Sequence, residues 1–200
     1  MKPNSSALRN IQNSQIGIEC YVVTANCSIE VLAYSGDYVS LTPSVGHVKM
    51  NEAVVWKGSS STNFCNPVGV NTLLIDPFTC TVLQSRRFDT YHLSNAATEL
   101  SNYLQTLNVG SVIVGVTATE PTSQLSKALS NLGQFGVQVA DVQFGGSFAF
   151  IAQKGYPVKT VLRKVLTQNE SNASPARFNA VITGTQRAAN NIRDIRLHGT

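Results

Sequence analysis

The sequence predicts an α/β fold, a mixed β-sheet covered by two amphipathic helices, with an arm at each end. Three observations carry this. Strand-like bursts broken by Gly, Pro and Asn fill residues 29–58 and 69–88, two later segments space their apolar residues for a helix, and short β-branched runs flank those segments. Strands followed by α, β, α, β, β call for a sheet layered against helices. Two hundred residues, 42% of them hydrophobic, can bury such a core as one domain with extensions.

The elements follow in chain order. Residues 1–28 are polar apart from "IGIECYVV", and read as an N-terminal arm or edge strand. "IEVLAYSGDYVSLTPSVGHVKMNEAVVWKG" alternates apolar and polar residues as antiparallel strands do, and "SSSTNFCNP" is a loop. In "VGVNTLLIDPFTCTVLQSRRF" an apolar run meets Asp76-Pro77 and returns, which predicts a hairpin. Leu100, Tyr103, Leu104 and Leu107 fall at i, i+3, i+4, i+7, with Ser94 or Asn95 as N-cap and Gly110 as the stop. "SVIVGVT" is a buried strand. "EPTSQLSKALSNLG" repeats the helix signature, capped by Thr122 or Ser123, with Leu125, Ala128, Leu129 and Leu132 inward and Gly133 beyond its end. "VQVADVQF" and "SFAFIAQKG" read as two more strands. From residue 157 the pattern decays into a basic C-terminal extension holding a short helix and a strand.

Charge is sparse, 13% of residues, and the net +4 is uneven. In the last quarter Lys154, Lys159, Arg163, Lys164, Arg177, Arg187, Arg193 and Arg196 face only Glu170 and Asp194. No aromatic residues interleave with these cations, so the tail reads as a solvated arm or assembly contact, not a nucleic-acid surface. No apolar run reaches the length of a membrane span, and the first fifteen residues lack the apolar region of a signal peptide. A polar, weakly charged surface of this kind is associated with secreted and virion proteins. Cys20, Cys27, Cys65 and Cys80 allow three pairings, among which spacing does not choose. Cys20 and Cys27 are close enough to bridge a hairpin, whereas Cys65 and Cys80, placed at opposite ends of one strand, make poor partners. Without C-x-x-C, and with His47, His92 and His198 scattered, no metal is expected, and no cofactor motif is present. The four N-x-S/T sequons, at Asn4, Asn26, Asn169 and Asn172, say nothing about compartment.

A nucleophile needs a base within reach and a group to orient it. No G-x-S-x-G elbow, H-E-x-x-H or P-loop occurs, and His92, three residues after Asp89, reads as a capping or surface residue. No pair stands out among eleven carboxylates for glycoside hydrolysis. No enzyme is expected. A sugar-binding face needs aromatic plates and planar hydrogen-bonding groups, and Trp56, Arg86, Arg87, Asp89 and Tyr91 are of those types. Structural work competes with that role, since Phe88 turns into the core, Asp89 accepts N–H bonds at the helix start and Trp56 can serve as core.

The stretch "GVNTLLIDPFTCTVLQSRRFDTYHLSNAATELSNYL" resembles the interleukin-like EMT inducer domain, also called the GG or PANDER-like domain. The family shows a Gly-led strand, a D-P-x-T-G-x-V turn, "FDTY" or a near variant, and a helix. "SVIVGVTATEPTSQLSKALSNLG" and "SFAFIAQKG" continue the likeness, so that it covers residues 29–156. It implies a sandwich-like α/β domain without catalytic residues, found in cytokine-like secreted proteins, a glycan-binding stem domain and phage virion proteins. Two departures stand out. Cys80 replaces the turn glycine, where positive φ is often required, and Gly145, Gly146, Ser147 and Phe148 stand where the family has R-D-[ST]-W.

The resulting expectation is a non-enzymatic recognition or structural module, outside the cell or on a virion as a tail, fibre or capsid component, binding glycan or protein through Arg86, Arg87, Asp89, Tyr91 and Trp56. Its terminal arms would join copies in a homo-oligomer or larger assembly. A secreted cytokine-like signal is the alternative.

Overall fold

The computed structural model describes residues 22–34, 46–58, 68–167, 169–170, 175–187 and 192–199. Of residues 1–28, expected as an arm or edge strand, 1–21 lie outside them, as do the loop "SSSTNFCNP", Cys20 and Cys65, while 22–28 belong to a strand in the middle of a sheet.

Among the described residues ten strands form two five-stranded sheets. Strands β1 (Val22–Ala33), β2 (His47–Met50), β3 (Ala53–Lys57), β9 (Ala176–Arg187) and β10 (Ile192–Gly199) make the first, in the order β10-β9-β1-β2-β3. Strands β4 (Gly69–Asp76), β5 (Thr81–Phe88), β6 (Val112–Ala118), β7 (Ser147–Gln153) and β8 (Val161–Val165) make the second, ordered β5-β4-β6-β7-β8. Helices α1 (Ala96–Thr106) and α2 (Leu129–Gln134) cover its outer face.

The alternation of side chains along β6 and β7 explains why three layers result. Val112, Val114 and Val116, with Ala149 and Ile151, point at the first sheet and meet Cys27, Ile29, Val31, Phe178 and Ile182 there. Ile113, Phe148, Phe150 and Ala152 point the other way, into Leu100, Leu104, Leu132 and Phe135 beneath the helices. Both strands are buried at every position, which is why they read as continuous apolar runs. At Gly115 a Cβ would run into the Phe150 ring, so this strand needs glycine to admit the aromatic.

The predicted class holds: a sandwich-like α/β domain with two helices, the hairpin β4–β5 and helix α1 where expected. Four details differ. Among the described residues all strand pairings are antiparallel, so neither sheet as described is mixed. "VQVADVQF" is an irregular cover, since Val137, Val139 and Val142 alternate into the helix-side core but pair with no strand. The second helix splits into a 3₁₀ turn at Leu125–Ala128 and the short α2, with Gln124, not Thr122 or Ser123, at its start and Gly133 inside it. The C-terminal segment is no loose arm, for β8, β9 and β10 complete both sheets and β9 pairs with β1 over twelve residues.

The cations of that segment are used inside the fold. Lys154 Nζ donates to the carbonyls of Leu104, Gln105 and Leu107 at 2.9, 2.8 and 2.6 Å, closing the C-terminus of α1. Lys159 reaches the Ile195 carbonyl, Lys164 pairs with Asp141, Arg177 with Glu30 and Arg196 with Asp194. Cys27 on β1 is joined to Cys80 in the β4–β5 turn, a pairing across the two sheets that spacing could not select. Cys80 has φ 55°, the left-handed conformation expected of the glycine it replaces.

Candidate functional site

Strand β5 ends at Phe88, which is buried against Tyr103 of α1 at a ring separation of 5.7 Å. The chain must then turn into α1, and Asp89 organises the turn. Its carboxylate accepts the His92 backbone N–H at 2.9 Å, lies 3.1 Å from His92 Nδ1 and receives an Arg87 N–H at 3.2 Å. Burial pushes the Asp89 carboxyl up, but the His92 N–H and imidazole, with the Arg87 charge, outweigh it and hold it below the usual carboxylate range.

Thr90, fully buried, ties this corner to the next loop. Its hydroxyl donates to the Pro121 carbonyl at 2.7 Å, and its carbonyl accepts the Gln124 N–H at 2.8 Å. In that loop the buried carboxylate of Glu120 accepts the backbone N–H and hydroxyl of Thr122, and the N–H of Gly145. Gly145 lies at φ 80°, and at the adjacent Gly146 a Cβ would press on the Val165 carbonyl, so the 141–146 loop sits close only because glycine stands there. These bonds stitch three loops together.

The result is a cluster of tilted rings on a polar corner, with Tyr91 half-buried and Phe144 exposed. The Tyr91 ring lies 4.5 Å from that of His92 and 6.3 Å from that of Phe144. Phe144 is 64% exposed, and Leu93 stands exposed in the same turn as Tyr91. Between β5 and α1 runs a cleft of 420 Å³ lined by Arg86, Arg87, Phe88, Glu99, Asn102, Tyr103 and Thr106. The Arg86 guanidinium lies 4.8 Å over the Tyr103 ring.

Of the residues singled out in the sequence, Arg87, Asp89 and Tyr91 thus share the corner, and Arg86 lies beside it in the cleft. Trp56 is elsewhere, on β3 of the first sheet, packed against the inter-sheet core next to Gly46. Phe144, Thr90 and Glu120 carried no assignment from sequence. Phe144 was readable only as a large aromatic directly before Gly145-Gly146, where a strand was expected.

A slightly larger hollow, 440 Å³, lies on the outer face of the first sheet, lined by Ser28, Glu30, Lys49, Glu52 and Asn179 among others. Glu30 there is held by His47 at 2.8 Å, Lys49 at 3.3 Å and Arg177 at 3.4 Å, bonds that keep its carboxyl low and tie β1 to β2 and β9. That hollow contains no aromatic ring. Among the described residues no three His, Cys, Asp or Glu side chains converge as metal ligands, and no helix is long and apolar enough to cross a membrane.

No curated protein matches the chain. Residues 68–156 match the family model described as Interleukin-like EMT inducer, and the corner, the cleft and every strand of the second sheet but β8 fall within that match. With a Gly-led strand, the "FDT" corner and the closing "AFIAQKG" strand in place, residues 68–156 form an interleukin-like EMT inducer domain.

Proposed function

We propose that this protein is an extracellular, non-enzymatic recognition module that binds carbohydrate at the corner formed by Arg87, Asp89, Tyr91, His92 and Phe144. The observation that carries the reading is the half-buried Tyr91 ring with the exposed Phe144 ring beside the Arg87–Asp89 pair. A pyranose has one apolar face and a rim of hydroxyls; a ring plate takes the first, and a carboxylate with a guanidinium takes the second. The corner is set by buried bonds at Thr90 and Glu120, so little ordering entropy is lost on binding. The family's usual placement outside the cell and the Cys27–Cys80 disulfide favour an oxidising compartment.

The test is a glycan array with the wild-type chain and Y91A/F144A, two partly exposed positions whose truncation leaves the buried bonds intact. Selective binding by the wild type that falls at least tenfold in the double variant supports the site. Equal binding by both removes it. A second reading, a cytokine-like signal, is favoured by the family match, and would have the same surface engage a receptor protein.

A further inference from the structure

The end of the second sheet opposite the corner carries an apolar tip. Two loops build it, 108–111 before β6 and 154–159 after β7, where Pro157–Lys159 forms a 3₁₀ turn. The Gly110 N–H donates to the Lys154 carbonyl and the Lys154 N–H to the Ser111 carbonyl, both at 2.9 Å, which ties the loops together. A Cβ added at Gly155 would stand 2.9 Å from Val109 Cγ1, so Val109 joins Tyr156, Pro157 and Val158 in one patch. Val158 is 93% exposed and Val109 73%, the two most exposed large apolar side chains among the described residues. Single exposed valines are ordinary, but the two extremes of the molecule side by side are not.

We infer that this tip docks on an anionic lipid surface, with Val109 and Val158 entering the outer part of the leaflet. Three observations select lipid over a protein partner. A side chain that projects as freely as Val158 is enclosed by a medium that closes around it, not by a rigid face. The backbone suits a medium poor in water, since Pro157 has no N–H and those of Gly110, Ser111, Lys154, Tyr156 and Lys159 are bonded within the protein. The rim has the chemistry of a headgroup layer: Lys159 Nζ lies 4.8 Å over the half-exposed Tyr156 ring, and an aromatic ring and an ammonium both settle at that level. No Asp or Glu occurs in 105–111, in 154–160 or in the turn 134–138, whose Gly136 packs on Pro157. The carboxylate that meets Lys159, Asp194 at 3.6 Å, is shared with Arg196, so together with Lys154 the charge left over is positive. The seven residues of β6 separate tip from corner by roughly 20 Å, so a chain docked by the tip holds its corner away from the bilayer.

The experiment is flotation of the whole chain with phosphatidylcholine vesicles and with vesicles of equimolar phosphatidylcholine and phosphatidylserine. The wild type is expected to float with the second and several-fold less with the first. V109D/V158D should lose at least tenfold of that binding at an unchanged melting temperature, because both positions are exposed. The indole introduced by V158W should shift its emission to the blue on the anionic vesicles and be quenched by brominated acyl chains, a readout that does not depend on how the aspartate pair folds. No flotation with either vesicle, equal flotation of wild type and V109D/V158D, or a V158W emission that vesicles leave unchanged overturns the proposal. A wild-type dimer that V109D/V158D dissociates, without flotation, would assign the tip to a second copy of the chain and overturn it too.

Discussion

Asp89 shows how one side chain decides a local structure. It accepts a backbone N–H and an imidazole while paired with Arg87, bonds that act on its charged form. Its pKa is depressed on folding, so its stabilisation is present above the ordinary carboxylate pKa and is lost as pH falls through the lower folded value. D89N is therefore expected to lower stability by about 1–3 kcal/mol at neutral pH. In urea titrations run from pH 7 into the acid range, the gap to wild type should narrow only below the usual carboxylate range. Cys80 works by a different mechanism. Breaking its bond to Cys27 is expected to cost about 2–4 kcal/mol, measured with a C27A/C80A pair. Because Cys80 sits at φ 55°, C27A/C80G should melt higher than C27A/C80A, by the equivalent of about 1 kcal/mol. At this scale much was legible: "FDTY" marks a corner, and the cysteine in the glycine position announces a left-handed turn. The partner of that cysteine was not, because Cys27 meets Cys80 across two sheets, 53 residues apart, and no local rule reports that approach.

Among the elements, α1 was the most readable, since its i, i+3, i+4, i+7 stripe is the face buried beneath it. Its C-terminus was less so, for the cap is supplied from β7's end, by Lys154 reaching three carbonyls. K154M is expected to destabilise the protein by about 1–2 kcal/mol and to raise hydrogen exchange in the last turn of α1 first. "VQVADVQF" misled because alternation of valines signals one buried face, whether or not a partner strand exists; here the segment covers α2's side of the sheet and its ends are held by turns and by Leu166. Phe144 escaped notice for the same reason. An aromatic at the end of a supposed strand looks like core until the strand is gone, and then it stands at 64% exposure beside Tyr91.

At the scale of the molecule, the family match and the folding unit are not the same. The match ends at residue 156, yet Phe178, Ala180, Ile182 and Ile195 beyond it are buried against the second sheet. A chain cut after 156 would expose that face, and is expected to lose cooperative urea unfolding and near-ultraviolet dichroism; a truncated chain that unfolds cooperatively would show that the second sheet and helices suffice. Charge asymmetry misread this region as an arm, because lysines and arginines look solvated in sequence even when Lys159, from the turn before β8, reaches β10 and Arg177 ties β9 to β1. Placement on a virion was read from a polar, weakly charged composition and from the resemblance to a family with phage members, and neither the fold nor the family match supports it. Trp56 belongs to this scale too, since only the division into two sheets separates it from Tyr91.

The central claim is that carbohydrate is held at the stitched corner, and hydrogen–deuterium exchange with and without an array-selected glycan tests it most directly. Protection is expected at residues 87–92 and 142–146, with none at 53–57 around Trp56. Protection confined to 53–57, or a bound glycan that leaves the corner's exchange unchanged, would contradict it.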